Sequence, residues 1–432
     1  MKNIVNHIKS NILIKIASLN SVAILIRIIA GFLTSKAIAI FIGTEGMALI
    51  GNLRDFLSSA QSFATLGFSN GIVKYVSEFK NKTIALSKTI STVFYFGFFA
   101  ALLVSLYCYL DSERLNVLLF TPESDYAYII RILAVALPFY ALNVLLLAVI
   151  NGLSQFKKLL YINIFAQIVV MCITLYLIWQ YQLKGALIAV SVAESLIFFV
   201  TLFAAHNQIQ FFKLIQFKNV NFQSLKNLGS YSIMALFSAL LLPLVTVAIR
   251  NYIIETNSPH DAGLWEAMRR ISGYYMMFIS TLLTLYLLPR FSEIHTKSAF
   301  RKEVFGFYKT VMPIFGLGLV AIYFLRAFII RLVLTDAFAG AESLFLWQLF
   351  GDFIKVFSIV IAYQFLAKNM FWHYIVTEAL SILVLYFASI YFVDLYGAKG
   401  ATIAHFVDYL FYLALMLLLF RKSLFGRLKT DV

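Results

Sequence analysis

Charged residues are scarce in this chain. They make up 13% of its 432 positions, against 62% for hydrophobic ones. An ordinary soluble domain carries about 25% charge, so no sizeable water-exposed domain is expected. Cysteine is nearly absent. Cys108 and Cys172 fall in separate apolar segments without CxxC or Cys/His spacing, which excludes a disulfide framework and a cysteine-based metal site. No phosphate-cradling P-loop occurs, and nothing in the sequence points to nucleic-acid binding. The longest connection, residues 207–226, is too short for a soluble catalytic module. The basic, amphipathic start, MKNIVNHIKSNILIKIASLNSVAILIRIIAGF, lacks a small-residue cleavage pattern and runs directly into a full span, so no cleaved signal peptide is expected.

Apolar runs of about 20 residues recur along the whole length, the mark of a polytopic helical membrane protein. Hydropathy predicts helices near 14–42, 46–78, 86–110, 127–150, 157–180, 184–205, 228–254, 262–289, 304–325, 341–367, 371–392 and 397–420. The net charge of +15 reads as topology. Lysines and arginines such as Lys2, Lys9, Lys80, Lys157, Lys213, Lys297, Lys368, Arg421 and Lys429 collect in alternate loops, whereas the opposite loops, DSERLNVLLFTPESD and ETNSPHDAG, are acidic or sparse. The positive-inside rule then places both termini in the cytoplasm.

The chain also repeats itself. QFKKLLYINIFAQIVVMCITLYLIWQYQLKGALIAV aligns with NMFWHYIVTEALSILVLYFASIYFVDLYGAKGATIAH at an offset of 215, matching Phe156 to Phe371, Lys184 to Lys399 and Gly185-Ala186 to Gly400-Ala401. With a one-residue slip, Gly46 falls on Gly263 and Arg54 on Arg270. The expected fold is therefore all-α, with twelve transmembrane helices in two pseudo-symmetric six-helix bundles around a central cavity. The expected divisions are an N-terminal lobe 1–206, a basic amphipathic cytoplasmic linker 207–227, a C-terminal lobe 228–421 and a tail 422–432.

Ionisable residues at membrane depth are costly unless they face a protein interior or a wet cavity. The segment from Glu45 to Glu78, read as one helix, carries Asn52, Arg54, Asp55, Lys74 and Glu78. Arg54 and Arg270 each lie about eight residues, roughly 12 Å, from the outer end of the second helix of their lobe. Arg27, Arg131 and Lys355 extend the cationic set. Guanidinium forks suit phosphate, so a cationic lumen implies an anionic substrate. The competing reading is local neutralisation of Arg54 by Asp55, Arg270 by Glu266 and Lys355 by Asp352. Glu194 and Asp408, in the last helix of each lobe, either bind a coupling proton or sodium ion or pair with a lumen arginine. Lys74 and Glu78 read as a solvated i, i+4 pair. Pro138, Pro243 and Pro313 interrupt helical patterns and free backbone carbonyls.

The blocks GTEGMALIGNLRDF, GFSNGIVKYVSEF, TLYLLPRFSEI and LFLWQLFGDFIKV, in this order, resemble the bacterial lipid-linked oligosaccharide flippases, most closely the enterobacterial common antigen branch and the related O-antigen translocases. The similarity runs from about Leu19 to Arg421. It implies the multidrug/oligosaccharidyl-lipid/polysaccharide exporter fold and movement of undecaprenyl-diphosphate-linked repeat units from the inner to the outer leaflet of the bacterial inner membrane. It further implies alternating access, with the diphosphate meeting Arg54 and Arg270, and with Asn52, Arg27, Arg131 and Lys355 as further lumen positions. Asp55, Glu194, Asp352 and Asp408 are then the carboxylates available for ion coupling or gating. No cofactor is implied. The implied partners are the lipid-linked substrate, membrane lipid, a polysaccharide polymerase and a chain-length regulator, around a monomeric transporter. The rival functions are a cation-coupled drug antiporter of the same fold, which calls for acids that recognise organic cations, an enzyme of the same pathway, and a non-transporting scaffold. His260-Asp261 is the only outer-loop pair that would serve an enzyme, and its short loop reads as a turn.

Overall fold

The computed structural model describes residues 12–120, 125–205 and 214–426. The N-terminal Lys2 and Lys9, residues 207–213 of the expected linker and residues 427–432 of the expected tail lie outside them. Among the described residues the secondary structure is helical throughout. In chain order, α1 (Ile12–Phe41), α2 (Gly43–Ala64), α3 (Ser69–Phe79), α4 (Thr83–Leu110), α5 (Ser112–Leu119), α6 (Ala127–Gly152) and α7 (Phe156–Ala205) are followed by α8 (Phe222–Thr256) and α9 (Pro259–Leu282). Then come α10 (Leu288–Glu293), α11 (Lys297–Phe324), α12 (Arg326–Val333), α13 (Phe345–Ala367), α14 (Phe371–Tyr396), α15 (Ala398–Leu419) and α16 (Arg421–Leu424).

Among the described residues, ten helical stretches are long and apolar enough to cross a membrane. The longest, Lys157–Ala204, contains a break at Gln182, where φ is 48° and ψ −124°, so it is two helices. The stretch read as a single helix over 46–78 is instead two, α2 and α3. Leu66 (φ 51°) and Gly67 (φ 63°) turn the chain between them with left-handed backbone that no α-helix can contain.

By contacts the chain forms two compact units. The first comprises Asn52–Leu240 with the chain up to Phe41, and the second Ile42–Gly51 with the chain from Leu241 onward. The division thus crosses α2 and α8. Within the expected linker, residues 214–221 form a turn and a short 3₁₀ segment, Phe217–Asn219. They are tied to α4 of the first unit. Ser87 and Ser91 hydroxyls donate to the Leu214 carbonyl at 2.6 and 3.0 Å, and the Asn221 amide donates to Thr92 Oγ1 at 2.9 Å.

In lipid, burying an apolar side chain gains little over leaving it among acyl chains, so close packing and polar contacts hold such bundles together. In the first unit, Phe68, Ile72 and Val76 interlock with Ile90 and Val93 of α4 and Leu145 and Val149 of α6. In the second, Phe291, Phe300, Val360, Phe365, Met416 and Phe420 form the corresponding core. The sequence repeat is also a repeat of backbone geometry. Gly397 (φ 61°, ψ −146°) lies 215 residues after Gln182 and adopts nearly the same conformation. Three residues on in each hairpin, a Cβ at Gly185 or Gly400 would come within 1.9 Å of the Leu177 or Phe392 carbonyl oxygen, so both positions demand glycine.

Pro138, Pro243 and Pro313 lie inside α6, α8 and α11. Each proline lacks the N–H that would bond the carbonyl four residues earlier. For two of them a neighbouring serine supplies the missing donor. Ser105 Oγ donates to the Ala134 carbonyl at 2.6 Å, and Ser59 Oγ to the Ala239 carbonyl at 2.7 Å.

Candidate functional site

In the first unit the expected lumen residues occupy unlike environments. Asn52 is buried, and its Nδ2 donates at 2.8 Å to the carbonyl of Leu119, the last residue of α5. It therefore caps a helix end. Arg54 is exposed on α2, Asp55 is half-buried beside it, and Arg27 is exposed on α1. Glu194 is exposed and accepts from Gln61 Nε2 at 3.0 Å. Arg131 donates through Nε to Ser112 Oγ at 2.9 Å and pairs with Glu113 at 2.7 Å, on the rim of an apolar groove of about 440 Å³ formed with the second half of α7. Lys74 and Glu78 are both exposed, and the Lys74 ammonium lies over the Tyr75 ring at 5.2 Å.

The second unit concentrates its charges. Three guanidiniums converge on Glu266, with Arg250 Nη2 at 2.6 Å, Arg269 Nη1 at 3.2 Å and Arg270 Nε at 3.2 Å. Trp265 packs among them, its ring centroid 5.5 Å from the Arg250 guanidinium and 5.2 Å from that of Arg269. Arg250 is fully buried and Arg270 is 9% exposed. Arg270 and Glu266 thus form the local i, i+4 pair, but Arg270 Nη2 is buried and has no hydrogen-bond partner among the described residues.

Glycine permits this assembly. A Cβ on Gly51 would sit 2.7 Å from Glu266 Cδ and 2.9 Å from Arg250 Cζ, and one on Gly263 would sit 2.1 Å from the Thr44 carbonyl oxygen. Beyond that crossing, Thr44 Oγ1 and His260 Nδ1 are 2.8 Å apart. Asp261 belongs to the capped start of α9, its amide donating to Ser258 Oγ, so the pair His260-Asp261 serves a turn and a helix contact.

Arg269 also borders a cavity of about 390 Å³ within this unit. One stripe of α13 faces it, through Gln348, Asp352, Lys355, Ile359, Ala362 and Leu366. Its opposite wall comes from α14 and α15, including Glu378, Ser381, His405 and Asp408. Asp352 is fully buried and does not pair with Lys355, as its position one turn earlier suggests it should. Ser272 Oγ donates to it at 2.6 Å, Tyr275 donates its hydroxyl, Gln348 Nε2 lies 3.2 and 3.3 Å from its two oxygens, and His405 Nε2 lies 3.0 Å from Oδ1. These partners come from α9, α13 and α15, so Asp352 joins three helices. Asp408, 3% exposed, accepts from Ser381 Oγ at 2.6 Å. The Lys355 ammonium lies 5.0 Å over the Tyr409 ring and makes no hydrogen bond or salt bridge among the described residues.

The structure therefore brings Asp352, Lys355 and Asp408 to one cavity, with Arg270 in the adjoining arginine cluster. Reading the sequence one helix at a time passed over Arg250, Arg269, Glu378 and His405. Each was visible as a polar residue inside an apolar segment, but their convergence depends on packing between helices.

A family profile described as polysaccharide biosynthesis protein matches residues 37–343. The lipid III flippase of Escherichia coli (strain K12) is 28% identical over 406 residues, covering 90% of this chain and 94% of that protein. The lipid III flippase of Shigella flexneri matches over the same length at the same identity. Among solved structures, the lipid II flippase MurJ in an inward closed conformation has a TM-score of 0.72 at 14% identity, covering 94% of this chain and 87% of that one. An inward-facing multidrug resistance MATE family transporter of the MOP superfamily scores 0.69 at 12% identity, covering 93% and 98%. These structural likenesses show that the chain shares the fold of those two structures.

Proposed function

Since the chain belongs to the polysaccharide biosynthesis protein family, we propose that it is a flippase for lipid-linked oligosaccharides. The observation that carries the reading is the 28% identity to a lipid III flippase along 90% of this multi-pass membrane protein. The substrate is an undecaprenyl-diphosphate-linked repeat unit of the common-antigen or O-antigen type. Its head group crosses the inner membrane by alternating access while the polyprenyl tail stays in lipid. Both termini are cytoplasmic, in accord with the basic bias of alternate loops.

We assign the diphosphate to Arg54 and Arg270. The support at Arg270 is physical, because its buried Nη2 has no acceptor among the described residues, which is costly, and an anionic oxygen would satisfy it. The chemistry is transport without covalent change to the substrate. Asp352, already filled by its four neighbours, is a framework residue, which leaves Asp55, Glu194 and Asp408 as the carboxylates for ion coupling.

The test is leaflet translocation by the purified protein in proteoliposomes, with and without an imposed proton or sodium gradient. Movement of an undecaprenyl-diphosphate-linked oligosaccharide is expected, without exchange of an organic cation. Exchange of organic cations with no lipid movement would make the chain an antiporter instead.

A further inference from the structure

The cavity of the second unit differs in chemistry from the arginine cluster beside it. Around Glu266 three guanidiniums meet one carboxylate. Along the cavity wall, Arg269 and Lys355 are accompanied by Glu378 and Asp408, and by Asp352, whose oxygens are taken by its own four neighbours. A diphosphate seeks cationic donors in excess, and carboxylates beside it repel it. A sugar behaves otherwise. Its hydroxyls both donate and accept, so a wall carrying carboxylate acceptors and ammonium or guanidinium donors satisfies them together.

Aromatic rings line the same space, namely Trp265, Tyr363, Tyr374, Tyr409 and Tyr412. Aromatic rings in a site can pack a flat apolar face against the C–H side of a pyranose ring. The α13 stripe from Gln348 to Leu366 extends over roughly 27 Å of helix, a length that suits a chain of sugars. The volume of about 390 Å³ falls within the usual range for small-ligand sites. Lys355 supplies the decisive observation. Half-buried on this wall, its ammonium has the Tyr409 ring for support but no hydrogen-bond acceptor among the described residues, so its N–H donors are left to whatever fills the cavity.

We propose that this cavity is the sugar subsite of the flippase, taking pyranose units of the head group against Tyr409 and Lys355 and leaving the diphosphate to arginines outside it. The proposal rests on the flippase reading and adds to it a site for the sugars alone.

The experiment measures equilibrium binding of two probes to the full-length protein in nanodiscs: undecaprenyl diphosphate, and the same lipid carrying a trisaccharide. The native protein is expected to bind the trisaccharide lipid at least tenfold more tightly. Lys355→Gln should weaken that binding about tenfold, the scale of one charge-assisted contact, and Tyr409→Leu should weaken it by a similar factor while its affinity for the bare lipid stays unchanged and reports that the variant is folded. Equal losses for both probes, or no loss for either, would overturn the sugar subsite. So would native binding of both probes with equal affinity, and that result would leave the flippase reading standing. Binding of neither probe by the native protein would overturn the flippase reading and the subsite with it.

Discussion

Ser59 donates its hydroxyl at 2.7 Å to the carbonyl of Ala239, the group that Pro243 leaves without its helical partner. Ser105 does the same at 2.6 Å for Ala134, which Pro138 leaves open. In a bilayer a bent helix is tolerated only where the freed carbonyl finds another donor. These two serines satisfy the carbonyls that the prolines leave open.

Removing one of the serines should therefore be felt only while its proline is present. Ser59→Ala is expected to lower stability by about 1 kcal/mol, read as a shift in thermal unfolding in detergent. In the double variant with Pro243→Ala the loss should shrink, because an alanine amide can bond Ala239 directly. A loss of the same size in both backgrounds would show that the serine acts elsewhere.

The twin hairpins give a second test. Gln182 and Gly397 share a positive-φ backbone that costs a non-glycine residue about 1 kcal/mol. Gln182→Gly should raise the unfolding temperature, and Gly397→Ala should lower it. The same sign of change at both positions would contradict the shared geometry.

Glu266 is the hub of three guanidiniums, and Arg250 beside it is fully buried. Breaking a buried ion pair by removing one partner costs about 3–5 kcal/mol. Glu266→Gln should accordingly reduce folded yield and thermal stability far more than Glu113→Gln, whose carboxylate pairs with Arg131 at the surface. Comparable behaviour of the two variants would remove the hub from the account.

Much of the fold was legible in the sequence because the signals involved are local. Runs of apolar residues marked the spans, and the matching Gly185-Ala186 and Gly400-Ala401 pairs marked two hairpins of the same form. Pro138 and Pro243 were read correctly as sources of free carbonyls, but their serine partners lie on other helices and no spacing pointed to them. The turn at Leu66-Gly67 was missed because the apolar pattern continues across it. The candidate site was less legible for the same reason. Lys355 and Asp352 share a helical face, yet Ser272, Tyr275 and His405 reach the carboxylate first, from α9 and α15. Arg270 did take the helical partner that its spacing from Glu266 suggested.

The role proposed for the guanidiniums is to carry the diphosphate of a lipid-linked oligosaccharide across the membrane. The most direct measurement is the rate of flipping of an undecaprenyl-diphosphate-linked oligosaccharide in proteoliposomes, comparing the native protein with Arg54→Ala and Arg270→Ala at equal amounts of folded protein. Flipping by the native protein and a loss of at least tenfold in each variant are expected, as for removal of a charge-assisted contact to phosphate. Native-like rates in both variants would contradict that role.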